Sequence, residues 1–220
     1  MTPASGACAG DFLAWLDAIL ASFSSGQGAV VPCGDCRACC RAGYFIPVRH
    51  HEWATLAVIP RGLLVHPPGT SGEGDYLIGT TRRGDCAMLR PQGCPIYARR
   101  PQACRNYDCR IFTAAGIPSG HDAIDRQAGR WRFQYGSDHG WLVHAAVKQA
   151  ARFVIDHARA FPGGRVPEQA ADIALVALKA HPVFLGPMDG YATDAAVARA
   201  VVRACRVFDA TGRLVSGGAP

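Results

Sequence analysis

Four of the ten cysteines in this 220-residue chain lie within eight residues, as the run Cys33-x₂-Cys36-x₂-Cys39-Cys40. Thiolates two residues apart on a tight turn can converge on one metal ion or one iron–sulfur cluster. Four more cysteines follow later in the chain, at Cys86, Cys94, Cys104 and Cys109. The eight sulfur atoms together exceed the ligand number of one four-coordinate site, so one centre, two centres or a centre with a spare thiol all remain open.

Disulfides are the alternative use of such cysteines, and three features favour metal ligation over them. A chain of 220 residues can bury a sizeable core without covalent cross-links. No secretory signal is expected, because Met1–Gly10 holds no basic residue and Asp17 interrupts the apolar run that follows. Neighbouring side chains also diverge, which makes Cys39 and Cys40 an awkward disulfide pair. The sequence therefore predicts thiolate ligation of a metal.

The spacing of the cysteines favours iron–sulfur over zinc. Structural zinc sites combine two separated C-x₂₋₄-C pairs, whereas the repeated C-x₂-C-x₂-C step followed by distant cysteines resembles iron–sulfur ligation. Cys33, Cys36 and one of Cys39 and Cys40 can reach a single centre, and the other member of the adjacent pair must point elsewhere. Cys8 and Cys205 stand apart from these motifs and are predicted to be small buried apolar side chains.

Composition and charge exclude other classes of protein. Hydrophobic residues make up 49% of the chain, yet no stretch approaches the ~20 apolar residues of a membrane span. We therefore expect a soluble, cytoplasmic protein with no membrane partner. Residues 82–132 hold ten arginines against four aspartates. This segment lacks the regular finger spacing and aromatic platform of nucleic-acid modules, so a solvated surface with counter-charges for thiolates is favoured over a nucleic-acid partner.

Hydrophobic periodicity indicates the elements that would position the cysteines. Cys104 and Cys109 are five residues apart, which places them on different faces of a regular helix, so the backbone must bend between them or they serve different sites. The predicted elements are helices at Asp11–Ser22, Trp141–Phe161, Pro167–Ala180 and Thr193–Val207, with Thr193 as N-cap, strands at Gly43–Val48, Tyr76–Thr81 and Gly84–Leu89, and a loop at Ala114–Gly129.

These elements predict an α+β fold that is mainly helical. A small cysteine-rich, metal-binding N-terminal part with short strands would pack on a helical C-terminal part. We expect one domain over residues 1–220, with a cysteine-cluster region at 30–112 and a helical region at 140–208. No internal repeat is present.

The cysteine-rich segment resembles a known family over residues 33–109. After the first run it continues with a second half that includes Cys94, Ile96, Tyr97, Arg100, Pro101, Cys104, Arg105 and Tyr107. This pattern resembles the YkgJ-type cysteine-cluster family, a zinc- or iron-chelating domain with the signature CxxCxxCC. A related cysteine signature occurs in flagellin lysine methylases, which resemble this family through a cysteine-bound iron–sulfur cluster.

The resemblance implies metal chelation as the function. We expect an iron–sulfur cluster, with [4Fe–4S] favoured and zinc as the alternative cofactor. The alternative function is an iron–sulfur-dependent modifying enzyme similar to the flagellin lysine methylases, although no phosphate loop, Ser/His/Asp arrangement or dinucleotide fingerprint supports it. A catalytic residue and a protein partner are not indicated. The predicted metal ligands are Cys33, Cys36, Cys39, Cys40, Cys86, Cys94, Cys104 and Cys109.

Four other residues of this motif are expected to support the centre. Arg100 and Arg105 are predicted to donate hydrogen bonds to thiolate sulfurs or to a nearby carboxylate such as Asp108. Tyr97 and Tyr107 are predicted to shield the centre from water.

Overall fold

The computed structural model describes residues 6–26, 28–67, 74–186 and 191–215. Helix accounts for 52% of the structure and strand for 11%, so the predicted mainly helical α+β class is confirmed. The helices are α1 (Phe12–Ser25), α2 (Trp53–Leu56), α3 (Gln102–Asn106), α4 (Arg110–Ala115), α5 (Asp122–Ala128), α6 (Asp138–Asp156), α7 (Ala170–Ala180) and α8 (Asp194–Thr211). The strands are β1 (Ala7–Asp11), β2 (Ile46–Val48), β3 (Leu64–Val65), β4 (Tyr76–Ile78) and β5 (Trp131–Gln134).

The main hydrophobic core lies among α1, α4, α6, α7 and α8. Helix α6 turns one apolar face inward, with Val143, Val147 and Val154 buried along it. These steps of four and seven residues return to the same face of a helix and so let an amphipathic helix bury one stripe. Strands β1 and β5 pair in parallel at the edge of this core, with a bulge between Cys8 and Gly10.

Three helices of this part, α1, α6 and α8, begin at side-chain caps, and Ser137 caps α6. The Asp11 carboxylate accepts a hydrogen bond from the Ala14 backbone N–H at 3.0 Å. The Thr193 hydroxyl accepts one from the Ala196 N–H at 3.2 Å, which confirms the predicted N-cap of α8. Such caps satisfy backbone donors that the first turn of a helix leaves without partners.

A smaller core belongs to the cysteine-rich part. Val48, Ile59, Ile78, Met88 and Ile96 are buried against one another beneath the antiparallel sheet β2-β4-β3. This satellite core organises the turns that carry the later cysteines. Within the described ranges, none of the helices has both the length and the apolarity to cross a membrane.

Two of the predicted elements are wrong. Residues 84–89 form turns rather than a strand, and only an isolated pairing of Thr80 with Cys86 remains. The predicted loop at 114–129 contains α5, which buries only Ile124 and Ala128 and is thus too short for a clear apolar period. Strands β1 and β5 were also missed, since each is a short segment whose partner lies more than 100 residues away.

The bend expected between Cys104 and Cys109 is present. Helix α3 ends at Asn106, Tyr107 is extended with φ −76° and ψ 118°, and α4 begins at Arg110. The chain can therefore direct Cys104 and Cys109 into different surroundings.

The buried side chain of His144 makes the free energy of unfolding depend on pH. The His144 ring stacks on Phe12 with centroids 4.3 Å apart, and its Nδ1 lies 2.6 Å from the Tyr135 hydroxyl. Burial lowers the pKa of His144 to about 4. The unfolded chain binds a proton at this side chain near pH 6.5 and the folded chain only near pH 4, so stability falls as the pH drops through that window.

We expect His144 to contribute about 3 kcal/mol of this loss between pH 7 and pH 4. The measurement is the free energy of unfolding in urea at both pH values, for the wild type and for His144→Phe, which keeps an aromatic ring against Phe12. His181 stays in both proteins and serves as a common background. Equal pH dependence in the two proteins would contradict the assignment.

Candidate metal centre

Four thiols from four separate segments form one neighbourhood, which we call the thiol tetrad: Cys40, Cys86, Cys94 and Cys104. Burial, together with smaller contributions from the ionised forms of the other three thiols, raises the pKa of Cys104 to about 12. Burial also raises the pKa values of Cys86 and Cys94, to which ionised Cys40 adds in both cases. Ionised Cys94 raises the pKa of Cys86 as well, so every pair within the tetrad interacts.

The first half of the tetrad is held by the backbone. Cys40 lies in a 3₁₀ turn at Cys39–Arg41, and its carbonyl accepts the Cys86 backbone N–H at 2.7 Å. Thr80 pairs with Cys86 just beyond β4, so the turn that carries Cys86 leaves directly from the satellite core. The adjacent cysteines of the first run are thereby tied to a segment more than 40 residues away.

A glycine turn and a short helix present the second half. Gly93 has φ +115°, a conformation that favours glycine, and pairs with Arg90 to close the turn before Cys94. Cys104 lies on α3, whose first backbone N–H, at Gln102, donates to the Glu52 carboxylate at 2.7 Å. A carboxylate at this end of a helix satisfies a free donor and interacts favourably with the positive end of the helix dipole.

Backbone N–H groups point at three of the sulfurs. The Ala38 N–H donates to Cys36 Sγ at 3.5 Å. The N–H groups of Met88 and Ile96 act in the same way on Cys86 and Cys94, and each opposes the rise in pKa that burial causes. In every case the donor follows its cysteine by two residues. This is the turn expected of a thiolate knuckle, because amide donors partly neutralise sulfur charge.

The two adjacent thiols, Cys39 and Cys40, are linked by a hydrogen bond. Cys39 donates a hydrogen bond to Cys40, which lowers the pKa of Cys40 and raises that of Cys39. Arg37 and Arg41 add to the decrease at Cys40. Cys40 is thus the thiol of the tetrad that ionises most readily.

The sulfur atoms are neighbours but not a closed ligand set. Across the described parts of the chain, no three His, Cys, Asp or Glu side chains are arranged to hold a single metal ion. Sulfur ligands lie about 2.3 Å from a zinc ion, so metal binding requires these thiols to draw together. The donor set fits a thiophilic metal, since a cation would remove the energetic penalty of ionising buried thiols.

Three further thiols form a second neighbourhood, the thiol trio: Cys33, Cys36 and Cys109. Burial raises the pKa of Cys33, and ionised Cys36 raises it further. Burial raises the pKa of Cys109 to about 11, with further contributions from ionised Cys33 and Cys36. Cys39 lies between the two groups, because ionised Cys104 and Cys33 both raise its pKa.

Arg100 and Arg105 have different surroundings. The Arg100 guanidinium stacks over the Tyr97 ring, 4.1 Å from its centroid, and lowers the pKa values of Cys33, Cys94 and Cys104 against burial. Arg105 donates to the Gln102 side chain at 2.7 Å and to the Arg100 carbonyl at 2.7 Å. Its position thus supports the chain around α3.

The two tyrosines also differ. Tyr97 is 59% exposed and leaves its ring at the surface under Arg100. Tyr107 packs against the main core, and burial together with Tyr44 and Cys109 raises the pKa of its hydroxyl. That hydroxyl is buried and makes no hydrogen bond of good geometry. The hydroxyl of Tyr44 is the group with which it interacts.

The two residues that flank Cys109, Asp108 and Arg110, form a buried ion pair that the sequence analysis missed. The Arg110 guanidinium binds the Asp108 carboxylate through contacts of 2.7 and 3.0 Å, and Trp15 Nε1 donates to the same carboxylate at 2.9 Å. Arg110 also donates to the Val30 carbonyl at 2.8 Å, just before the first cysteine run. The sequence Asp108-Cys109-Arg110 does show two opposite charges close together. It does not show that Trp15 and the Val30 carbonyl bind them, because those contacts form only in the folded chain.

Arg37 lies near several thiols, and two cysteines, Cys8 and Cys205, lie outside both thiol groups. Arg37 lies against Gly93 and donates to the Cys36 carbonyl at 3.0 Å, and its charge lowers the pKa of Cys40. Cys205 is half-buried on α8, and burial raises its pKa to about 11. Cys8 is exposed, so its predicted burial is wrong, because its side chain lies on the face of β1 opposite the buried Ala9.

Comparison with known proteins agrees with this chemistry. Residues 32–125 match the model of the CxxCxxCC family, described as a "putative zinc- or iron-chelating domain". The resemblance identified from the sequence is therefore confirmed over that range, and the match supports metal binding by the cysteine-rich part. No curated protein and no solved structure matches the chain.

The buried ion pair gives a prediction for stability. Replacing Arg110 with Met leaves Asp108 charged and without its cation in the interior, and we expect the free energy of unfolding to fall by about 3–5 kcal/mol. The matched control is Arg152→Met, which removes an exposed arginine of α6 and should change stability by less than about 0.5 kcal/mol. Denaturant unfolding measures both variants. A loss below about 1 kcal/mol for Arg110→Met would contradict a structural role for the pair.

Proposed function

We propose that the protein chelates iron or zinc through the thiol tetrad, with iron held as a [4Fe–4S] cluster as the favoured form. The observation that carries this proposal is that Cys40, Cys86, Cys94 and Cys104 come from four segments and lie close enough for the charge of one thiolate to raise the pKa of another. Four thiols are the number that such a cluster or a structural zinc ion takes.

The choice of iron rests on the sequence pattern. The C-x₂-C-x₂-C steps resemble iron–sulfur ligation more than they resemble a zinc ribbon. A bound cluster would supply electron transfer or a structural cross-link. The chain's own residues would hold its sulfur ligands in place, supply N–H groups to Cys86 and Cys94, and set positive charge nearby through Arg37 and Arg100.

We also propose a role for the residues around the centre. Arg100 would stabilise the thiolates by its charge, and Tyr107 would shield the thiols from water. Arg105 would act through α3, by fixing the helix that carries Cys104. Tyr97 would act through Arg100, whose guanidinium it supports.

A modifying enzyme is the second candidate function, and one feature favours it. An open groove of about 760 Å³ is lined by the α2 segment on one side and by residues in and just before α3 on the other, including Trp53, Ala98, Arg99 and Gln102. Trp53 is 75% exposed there. The groove could receive an anionic substrate next to the helix that carries Cys104. Loss of modification with retained metal in Trp53→Ala would distinguish this function from chelation alone.

Purification without oxygen tests the proposed function. We expect a brown protein with iron and near-stoichiometric sulfide, and loss of iron and of the cluster absorption in Cys94→Ser. Cys205→Ser, which changes a thiol outside both groups, should retain both. A colourless protein with zinc would exclude the favoured cofactor, and metal-free protein with oxidised thiols would contradict chelation altogether.

The same preparation tests the arginine beside the centre. Arg100→Ala should lose metal to a chelator roughly threefold to tenfold faster than the wild type, because a charge that favours the thiolates is removed. Arg99→Ala is the matched control, since it removes the neighbouring exposed arginine. Equal rates for the two variants would remove Arg100 from the site.

A further inference from the structure

The tetrad uses only one cysteine of the first run, which leaves the trio and Cys39 to be explained. The trio differs from the tetrad in where it lies. Cys86 and Cys94 pack at the satellite core, whereas Cys109 is part of the main core. Cys109 is thus attached to a different hydrophobic core from Cys86 and Cys94.

The first two thiols of the trio are presented by one tight turn. The Cys36 backbone N–H donates to the Cys33 carbonyl at 2.9 Å, and Gly34 within the turn has φ +52°. The Ala38 N–H donates to Cys36 Sγ at 3.5 Å. A turn of this kind brings two sulfurs to the same side and already directs an amide donor to one of them.

The third thiol is held by aromatic and helical contacts. Cys109 lies immediately before α4 and is 8% exposed. Trp131 Nε1 donates to Cys109 Sγ at 3.3 Å. This bond lowers the pKa of Cys109, although burial, the larger effect, raises it. An indole N–H can donate only, so it suits a sulfur that carries negative charge.

One guanidinium links the two segments. Arg110, the residue after Cys109, donates to the Val30 carbonyl at 2.8 Å, three residues before Cys33. It is itself fixed by Asp108 at 2.7 Å and donates to the Ala9 carbonyl at 3.1 Å. The ion pair therefore holds the turn of Cys33 and Cys36 next to the start of α4.

A buried hydroxyl group that interacts poorly with its one neighbouring hydroxyl, that of Tyr44, lies in the same region. The buried Tyr107 hydroxyl makes no hydrogen bond of good geometry, and ionised Cys109 and Cys39 are among the groups that raise its pKa after burial. Buried hydroxyl groups normally find a partner. A ligand or thiolate at the trio would provide one.

We propose that Cys33, Cys36 and Cys109, whose segments the Arg110 contact to Val30 holds together, draw in around one soft divalent cation such as Zn²⁺ and so form a second thiolate site, separate from the tetrad. Three protein ligands leave one position of a tetrahedral ion for an external ligand. Binding releases the protons of the thiols that ligate the ion. The inference rests on the metal-binding function proposed above, and it adds a second centre with its own ligands.

Anaerobic titration of the reduced, metal-free protein with Co²⁺ tests the proposal, because cobalt takes the place of zinc and its thiolate complexes absorb light. We expect two equivalents bound by the wild type and by the control Cys205→Ser. One equivalent should remain in Cys109→Ser and one in Cys94→Ser. Circular dichroism shows whether each variant is folded, and Cys36→Ser, at a half-exposed turn, gives a second test if Cys109→Ser does not fold.

The outcomes separate the two proposals. One equivalent in the wild type that either Cys109→Ser or Cys94→Ser abolishes would mean a single shared centre and would overturn the second site alone. Two equivalents retained in both Cys109→Ser and Cys36→Ser would overturn it as well. No cobalt bound by the wild type would contradict the metal-binding function itself.

Discussion

The buried ion pair between Asp108 and Arg110 joins the cysteine-rich part of the chain to its helical core. Arg110 reaches β1 through the Ala9 carbonyl and the start of the first cysteine run through the Val30 carbonyl. Trp15 of α1 donates to Asp108 from the other side. Desolvating two charges is unfavourable unless every donor and acceptor finds a partner, and here the partners come from three other segments of the chain. The ion pair therefore fixes the positions of these segments relative to one another.

Burial of thiols imposes a second constraint, which acts against the charged form. Burial raises the pKa values of Cys33, Cys86, Cys94, Cys104 and Cys109. A cluster of neutral thiols gains little from being gathered in this way, whereas thiolates gathered around a cation gain a great deal. The nearby arginines and amide donors supply part of that positive charge, and the metal would supply the rest.

The sequence was most informative where chemistry and backbone geometry are local. The cysteine run, the bend between Cys104 and Cys109 and the Thr193 cap depend on neighbouring residues, and the structure has the bend and the cap where they were predicted. The mainly helical class followed from long amphipathic periods. Long-range pairing could not be inferred, which is why the parallel strands β1 and β5 were missed.

The division of the thiols was likewise beyond the sequence. Spacing indicated that Cys39 and Cys40 point to different places, but their partners depend on how distant turns meet. The backbone bond from Cys86 to Cys40 and the bond from Arg110 to Val30 settle which segments are neighbours. Arg37 and Trp131 belong to the surroundings of the thiols for the same reason, since each contacts them only after folding.

The central claim is that thiols from four segments share one metal centre. Alkylation of the metal-loaded and the chelator-treated protein, followed by mass spectrometry of each cysteine, tests it most directly. Protection in the loaded protein that chelation removes is predicted for Cys40, Cys86, Cys94 and Cys104, while Cys8, exposed on β1, labels equally in both. Equal labelling of the four tetrad thiols in the two states would contradict the account.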